Sequence, residues 1–185
     1  MTINILFLCT GNSCRSQMAE GWSRTLGGSR ITVESAGIEA HGKNPRAIEV
    51  MAEAGVDISG QESTVVSDAM LRRADLVVTV CGHADDLCPA LPDSVRKIHW
   101  PLADPAKASG TDDEIMAAFR ATRDEVKVRV TDLLAKLEAS VRRRREQAGE
   151  KAQAAEKPAK RAPAKKTPAK TGARKAAART SPAKK

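Results

Sequence analysis

Residues 3–26, which read INILFLCTGNSCRSQMAEGWSRTL, combine a strand, a tight loop and the beginning of a helix. Residues 3–8 form a nearly continuous apolar run, which is typical of a parallel strand buried on both faces. Residues 16–26 predict a helix that two glycines close. Because loop N–H groups and the helix dipole converge between these elements, such an arrangement binds tetrahedral oxyanions.

The alternation of strands and helices continues through the first 140 residues. Further strands are predicted at 31–35, 75–80 and 95–100, and further helices at 45–54, 67–73 and 112–137. This order predicts an α/β fold, a four-stranded parallel sheet with helices on both faces. Active sites in such sheets lie at the carboxyl ends of the strands, so the functional residues are expected there.

Charge divides the chain into two parts. Of 31 Lys+Arg and 23 Asp+Glu, residues 141–185 carry 16 basic and 3 acidic side chains. After Gln153 the sequence is almost wholly Ala, Lys, Arg, Pro, Thr and Ser, which cannot bury enough apolar area to fold. We therefore expect a folded domain over 1–140 and a disordered Lys/Ala/Pro-rich basic tail over 141–185. The tail predicts either a nucleic acid or another polyanion as partner, or a solubilising role without a partner.

Composition also excludes several classes of protein. A hydrophobic content of 41% is enough for a core, which rules out disorder of the whole chain. No apolar run approaches about 18 residues, so we expect no membrane span. The N-terminal apolar run is too short for a signal peptide and lacks a basic region before it, so we expect a cytoplasmic protein.

The loop after the first strand contains a candidate nucleophile, Cys9. The helix N-terminus favours thiolate over thiol, so the sequence predicts a lowered pKa for Cys9, with the Ser16 hydroxyl donating a hydrogen bond to the sulfur. Gly11 permits backbone torsions closed to other residues, and Arg15 offers a planar fork for two anion oxygens. The alternative is a structural cysteine in a turn. The candidate anion-binding residues are Thr10, Gly11, Asn12, Ser13, Cys14, Arg15 and Ser16.

Two further cysteines, Cys81 and Cys88, follow the predicted strand at 75–80. A cytosolic pair of this kind indicates redox or metal chemistry. A metal site would use both cysteines and His83 but lacks a fourth ligand, so we predict no metal; inert buried thiols are the other alternative. In one regular helix the two Cα atoms would lie about 10 Å apart. A disulfide tolerates about 7 Å, so residues 81–88 must be irregular or refold on oxidation, which Gly82 eases.

The stretch CTGNSCRSQMAEG at 9–21 resembles the signature of the low-molecular-weight protein tyrosine phosphatase superfamily, and within it the thioredoxin-coupled arsenate reductases. The resemblance covers residues 3 to about 138. The other matching stretches are SAGIE at 35–39, Asn44-Pro45-x-Ala47, DLVVT at 75–79, Cys81 with Cys88-Pro89, His99-Trp100, Asp104-Pro105 and Phe119-x3-Arg123-Asp124-Glu125.

The resemblance implies a role for each residue of a thiol relay. Arsenate binds the 9–16 loop, Cys9 attacks arsenic, and Asp104 protonates the departing oxygen; from the sequence alone Asp104 would be read as a turn residue before proline. Cys81 then attacks Cys9, arsenite leaves, and Cys88 resolves the disulfide as Cys81–Cys88. Thioredoxin reduces that disulfide, whereas a small thiol donor would not require the pair.

The resemblance implies no bound cofactor. Some family members bind potassium through residues that match Asn12, Glu20 and Ser35 and through an aspartate that falls at Thr64 here. Because a neutral hydroxyl is a poorer cation ligand than a carboxylate, potassium is not assigned, and Asn12 and Ser35 are expected to brace the loop by hydrogen bonds.

Three functions compete at this point. An arsenate reductase, expected as a monomer with thioredoxin as partner, needs all three relay cysteines. A tyrosine phosphatase needs only Cys9, Arg15 and Asp104, but the family's phosphatases usually carry an aromatic residue where Ala106-Lys107 stands. The third is a non-enzymatic, polyanion-binding protein that acts through its basic tail.

Overall fold

The computed structural model describes residues 2–156, with side chains described as far as residue 151. Its strands are β1 (Ile3–Cys9), β2 (Ile31–Gly37), β3 (Leu76–Thr79) and β4 (Arg96–His99). Its helices are α1 (Arg15–Leu26), α2 (Pro45–Glu53), α3 (Asp68–Arg73), α4 (Gly82–Asp86) and α5 (Asp112–Glu156). Single 3-10 turns occupy Gly28–Arg30 and Pro105–Lys107.

The four strands form one parallel sheet in the order β2-β1-β3-β4, as predicted. From β1 the chain goes first to β2 on one side and then to β3 on the other side of β1. The crevice for a ligand in such a sheet lies outside the carboxyl ends of the strands at this reversal. Cys9, the last residue of β1, stands at that point.

The core is built on both faces of β1. Leu6, Phe7 and Leu8 are each at most 1% exposed. Because successive strand side chains point to opposite faces, burial of consecutive residues requires cover on both sides of the sheet. Phe7 packs against Trp100, with 5.6 Å between the ring centroids. The apolar run that predicted the first strand therefore reflects a strand in the middle of a covered sheet.

Capping residues begin two of the short helices where the sequence predicted them. The Asn44 side chain accepts hydrogen bonds from the N–H groups of Arg46 and Ala47, and Pro45 takes the first helical position of α2. The Ser67 hydroxyl accepts from the N–H of Met70 at the start of α3. These caps fix how the chain enters each helix after a strand or loop.

Helix α5 continues beyond residue 140, where the disordered tail was predicted to begin. It ends at Glu156, so the prediction of disorder is wrong for residues 141–151, and residues 157–185 lie outside the described residues. Arg, Glu, Gln, Lys and Ala are strong helix formers, and the first proline after residue 140 is Pro158, which explains the extension. The chain divides into two compact units after Arg145.

The inner side of α5 carries the apolar stripe expected from its spacing. Phe119, Val126 and Val130 are at most 1% exposed. Ile115 and Leu137, at the ends of the predicted stripe, are partly buried against the core. No helix within residues 2–156 is long and apolar enough to cross a membrane.

Candidate active site

The loop between β1 and α1 closes around the sulfur of Cys9. The backbone N–H of Asn12 donates to Cys9 Sγ at 3.0 Å, and Ser16 Oγ lies 2.8 Å from the same sulfur. Cys9 is 3% exposed, so its side chain forms the floor of the loop. This geometry places the thiol against the backbone N–H of Asn12 and near the N-terminus of α1, where an oxyanion is favoured.

Burial raises the pKa of Cys9, whereas the sequence predicted a lowered pKa. The loss of water around the thiol raises its pKa above the ordinary value, although hydrogen bonds from Ser16 and Asn12 lower it. The prediction of a lowered pKa counted the helix dipole and the loop donors but not the depth at which the chain buries the sulfur.

Within the loop between β1 and α1, the residue in a left-handed backbone conformation is Asn12, with φ at 45°, and not Gly11. Asparagine tolerates this conformation better than most side chains. Its amide Nδ2 donates to Ser16 Oγ at 3.0 Å and to Ser35 Oγ at 2.8 Å, and its Oδ1 accepts from the N–H of Thr64 at 2.9 Å. These bonds hold the strained loop, as the sequence predicted for Asn12 and Ser35.

Gly11 serves a different purpose from the predicted one. A Cβ atom at this position would collide with the imidazole of His41, so glycine lets His41 pack directly over the loop. The His41 ring in turn bonds to Glu39, with 2.6 Å between Nε2 and Oε2. Gly11 therefore provides a close approach and no unusual torsion.

Arg15 and Asp104 meet across the mouth of the loop. Arg15 Nη2 lies 3.0 Å from Asp104 Oδ2, and Arg15 Nη1 donates to the carbonyl of Leu102 at 3.1 Å. The Arg15 side chain is buried, whereas that of Asp104 is partly exposed. Since a guanidinium carries five N–H donors, further donors remain for an anion. The carboxylate of Asp104 also caps the following 3-10 turn by accepting from the N–H of Ala106 at 3.2 Å.

Cys81 approaches the loop from the end of β3. Its sulfur lies 3.3 Å from Thr10 Oγ1, and the same hydroxyl lies 3.3 Å from His83 Nδ1. Cys81 is buried and precedes the first residue of α4. A second thiol therefore contacts the loop that carries the nucleophile.

Cys88 stands apart from this group. All four cysteines are free thiols, and Cys88 is partly buried. Burial raises the pKa of Cys88, and Asp85 raises it further while Lys97 lowers it. Helix α4 covers only Gly82–Asp86, which confirms that residues 81–88 are not one regular helix.

Cys14 is a buried thiol within the loop. It is 4% exposed, and burial raises its pKa to about 11. Ser13 Oγ lies 3.7 Å from its sulfur. A thiol with so high a pKa remains protonated at neutral pH, which makes Cys14 a poor nucleophile.

These residues surround a cleft of about 510 Å³. Four of the residues described above do not line this cleft: Asn12, Ser16, Cys81 and Cys88. The sequence did not predict that His41, His83 and Lys107 line the cleft. Two of them had a signal in the sequence, since His83 follows Cys81 closely and Lys107 follows Asp104 closely. The lining residues are Cys9, Thr10, Gly11, Ser13, Cys14, Arg15, His41, His83, Asp104, Ala106 and Lys107.

The four positions considered for potassium lie together behind the loop. Ser35 Oγ donates to Glu20 Oε2 at 2.5 Å and accepts from Asn12, and Thr64 Oγ1 donates to the carbonyl of Ser35 at 3.3 Å. Burial raises the pKa of Glu20, whose Oε1 lies 2.6 Å from a guanidinium nitrogen of Arg24. The carboxylate thus already faces a cation. Within residues 2–156 no three His, Cys, Asp or Glu side chains are placed to hold a metal ion.

Known proteins are similar to this chain in sequence and in fold. The model of the family described as low molecular weight phosphotyrosine protein phosphatase matches residues 4–143. An arsenate reductase of Halalkalibacterium halodurans is 57% identical over 126 residues, which span 68% of this chain and 91% of that protein.

Two solved structures are similar over most of the folded part. An arsenate reductase in its phosphate-binding state is 38% identical with a TM-score of 0.61, covering 73% of this chain and 98% of that one. A thioredoxin-dependent arsenate reductase of Corynebacterium glutamicum is 28% identical with a TM-score of 0.61, covering 75% of this chain and 63% of that one.

Proposed function

The chain belongs to the low molecular weight phosphotyrosine protein phosphatase family, and we propose that it reduces arsenate to arsenite with thioredoxin as electron donor. The observation that carries this proposal is the convergence of a second thiol on the nucleophile. Cys81, buried at the end of β3, contacts the Thr10 hydroxyl of the loop at 3.3 Å. A phosphatase has no use for a thiol at this position, because water completes its reaction, whereas a reductase needs a second sulfur to supply electrons.

The first step joins arsenate to Cys9. The oxyanion occupies the loop of residues 9–16, held by backbone N–H groups and by the free donors of Arg15. The Cys9 thiolate attacks arsenic, and a sulfur–arsenic bond forms. When the oxyanion takes over the guanidinium of Arg15, the Asp104 carboxyl is released from its ion pair and delivers a proton to the departing hydroxyl, which leaves as water.

The second step transfers the electrons. The Cys81 thiolate attacks the sulfur of Cys9, so that a disulfide forms and the sulfur–arsenic bond breaks. Arsenic keeps the electron pair of that bond, which converts arsenic(V) to arsenic(III), and arsenite leaves. The two cysteines together lose two electrons, which balances the reduction.

The third step releases Cys9 for another cycle. Cys88 attacks Cys81, the Cys9 sulfur departs, and the Cys81–Cys88 disulfide remains for thioredoxin. Cys88 does not line the cleft, and a short helix separates it from Cys81. The segment 82–88 must therefore rearrange during this step. Leu87, 52% exposed beside Cys88, loses little packing when it moves.

The proposal is tested by arsenate-dependent oxidation of NADPH with thioredoxin and thioredoxin reductase. Wild type should turn over, and Cys9→Ser should not. A parallel reaction with glutathione and glutaredoxin should be slower, because the enzyme ends its cycle with a Cys81–Cys88 disulfide, which is a substrate for thioredoxin. Turnover that is lost with thioredoxin but kept with glutathione would overturn the choice of donor.

A relay of free thiols also requires a reducing compartment, so we place the protein, as a monomer, in the cytoplasm.

Hydrolysis of small aryl phosphates is a second activity of the same site. Cys9, Arg15 and Asp104 meet in one cleft, and phosphate has the tetrahedral geometry of arsenate. Hydrolysis of p-nitrophenyl phosphate by wild type and by Cys81→Ser at equal rates would establish it. Retention of this hydrolysis in Cys9→Ser would show that the two reactions do not share the step at Cys9.

The basic C-terminal region offers a separate binding function. Residues 143–145 are arginines exposed on α5, and they precede a tail rich in lysine and arginine. We expect salt-sensitive binding of nucleic acid through this region. Deletion of residues 157–185 should weaken binding to duplex DNA, while Cys9→Ser should leave it unchanged; equal binding by the deletion variant would refute a role of the tail.

A further inference from the structure

One hydroxyl group joins the second thiol of the relay to an imidazole. Thr10 Oγ1 lies 3.3 Å from Cys81 Sγ and 3.3 Å from His83 Nδ1. Cys81 is 5% exposed, whereas His83 is exposed at the edge of the cleft. The three groups therefore form a hydrogen-bonded path from a buried sulfur to a side chain in contact with water.

We infer that His83 accepts, through the Thr10 hydroxyl, the proton that Cys81 must lose before it attacks Cys9. This inference rests on the proposed reductase function, in which Cys81 is the second nucleophile. It assigns a task to a residue that neither the oxyanion loop nor the three-cysteine relay uses.

The proton balance of the transfer is complete. At the start the Cys81 S–H donates to Thr10 Oγ1, and the Thr10 O–H donates to His83 Nδ1, with the ring proton of neutral His83 on Nε2. The sulfur proton passes to Thr10 while the Thr10 proton passes to His83. At the end the Thr10 O–H donates to the Cys81 thiolate, and His83 Nδ1–H donates to Thr10. Both hydrogen bonds persist with their directions reversed, so no atom has to move far.

The need for such a path follows from the burial of Cys81. Only the thiolate is a nucleophile, and water has little access to a sulfur that is 5% exposed. An imidazolium formed at His83 places a compensating positive charge two residues from the new thiolate.

The other ionisable groups near His83 are less suited to accept this proton. Asp85 of α4 is engaged by Thr79 Oγ1 at 2.7 Å and by Lys97 at 2.9 Å, and Asp104 is paired with Arg15. The remaining charged or titratable groups, which share the cleft or α4 with His83, are Cys9, Cys14, Arg15, His41, Lys107 and Asp86. Arginine and lysine are already protonated at neutral pH.

The test is the first turnover of the reduced protein with arsenate in the absence of thioredoxin. Release of arsenite in this reaction requires Cys9 and Cys81 but not Cys88. A protonated His83 cannot accept the proton from Cys81, so the wild-type rate should fall as pH is lowered. In His83→Gln the rate at neutral pH should drop about 100-fold, and the fall at low pH should become shallower, leaving only the dependence that comes from the Cys9 thiolate.

Variants of Thr10 keep the test decisive if His83→Gln folds poorly. Thr10→Val removes the hydroxyl and should reproduce the slow, altered pH profile, whereas Thr10→Ser restores the hydroxyl and should recover the wild-type profile. The double variant Thr10→Val/His83→Gln should be no slower than either single variant. His99→Gln, a histidine bonded to Thr79 at the end of β4, is the matched control and should behave as wild type.

The possible results separate the reductase function from the roles of His83 and the Thr10 hydroxyl. Failure of the wild-type protein to release arsenite would refute the proposed reductase function itself. Release by wild type, with His83→Gln at the same rate or slowed equally at every pH, would overturn the role of His83 in proton transfer. A wild-type profile in Thr10→Val would exclude the hydroxyl as the path.

Discussion

Arg15 and Asp104 form an ion pair across the mouth of the oxyanion loop, with 3.0 Å between Nη2 and Oδ2. Arg15 is the first residue of α1, and Asp104 follows β4. In the proposed reaction Arg15 holds the oxyanion and Asp104 protonates its departing oxygen. Their contact places the acid beside the fork that binds the anion, so both groups face the same substrate.

Replacement of Asp104 by asparagine should slow both arsenite release and aryl phosphate hydrolysis by about 100- to 1,000-fold, because the departing oxygen loses its proton donor. The measurement is the steady-state rate of each reaction. Asp112→Asn is the matched control, since Asp112 pairs with Arg46 at 2.8 Å outside the cleft. Equal rates in Asp104→Asn and wild type would remove Asp104 from the mechanism.

Ser16→Ala should raise the pKa of Cys9. The hydrogen bond from Ser16 lowers that pKa, and its loss leaves burial less opposed. A higher pKa means a smaller thiolate fraction at any pH below it, so alkylation of Cys9 by iodoacetamide should slow and its pH midpoint should move upward. Ser23→Ala, which removes another buried hydroxyl of α1, is the control. A midpoint moved downward in Ser16→Ala would contradict the assignment.

Glu20 should make the free energy of unfolding depend on pH. Burial raises its pKa above the ordinary value of 4.5. As pH rises through the window from 4.5 to this raised pKa, the unfolded chain loses the proton while the folded chain retains it, so the protein loses stability.

Urea denaturation of wild type and Glu20→Gln at a series of pH values measures this effect. Wild type should lose stability relative to the variant as pH increases through that window. Glu125→Gln is the control, because it breaks an exposed ion pair with Arg129 at 2.6 Å. It shows the effect of losing an ion pair without the effect of a buried carboxyl group. A gain of stability by wild type over Glu20→Gln with rising pH would contradict the prediction.

Gly37→Ala should destabilise the fold by more than about 2 kcal/mol, because the new Cβ meets backbone atoms that cannot move aside. It would lie 2.7 Å from the carbonyl oxygen of Thr10 and 2.8 Å from the backbone nitrogen of Asn12. Gly60→Ala is the control, since nothing lies within 4 Å of its added atom, and should change stability by less than about 0.5 kcal/mol. Thermal denaturation compares the two; equal midpoints would refute the clash.

Strand and helix order could be predicted from local patterns. The buried run at 3–8, the Asn44-Pro45 cap and the stripe of α5 each have a physical signal within a few residues. The end of α5 was missed because charge composition suggested disorder, whereas helix propensity and the absence of proline before Pro158 maintain the helix.

The candidate site was harder to predict where several elements meet. The raised pKa of Cys9 depends on burial by the whole sheet, and no local pattern reports it. The strained residue is Asn12 because the side chains of Ser35 and Ser16 hold its amide, while Gly11 yields space to His41. Such contacts join positions far apart in the chain, so the sequence alone could not reveal them.

The central claim, a relay from Cys9 through Cys81 to Cys88, is tested most directly by mapping disulfides after a single turnover with arsenate. Wild type should contain a Cys81–Cys88 disulfide and a free Cys9 thiol. Cys88→Ser should stop at Cys9–Cys81 after releasing one equivalent of arsenite, and it should not turn over with thioredoxin. Sustained turnover of Cys88→Ser with thioredoxin at the wild-type rate, or a wild-type product without the Cys81–Cys88 disulfide, would contradict the relay.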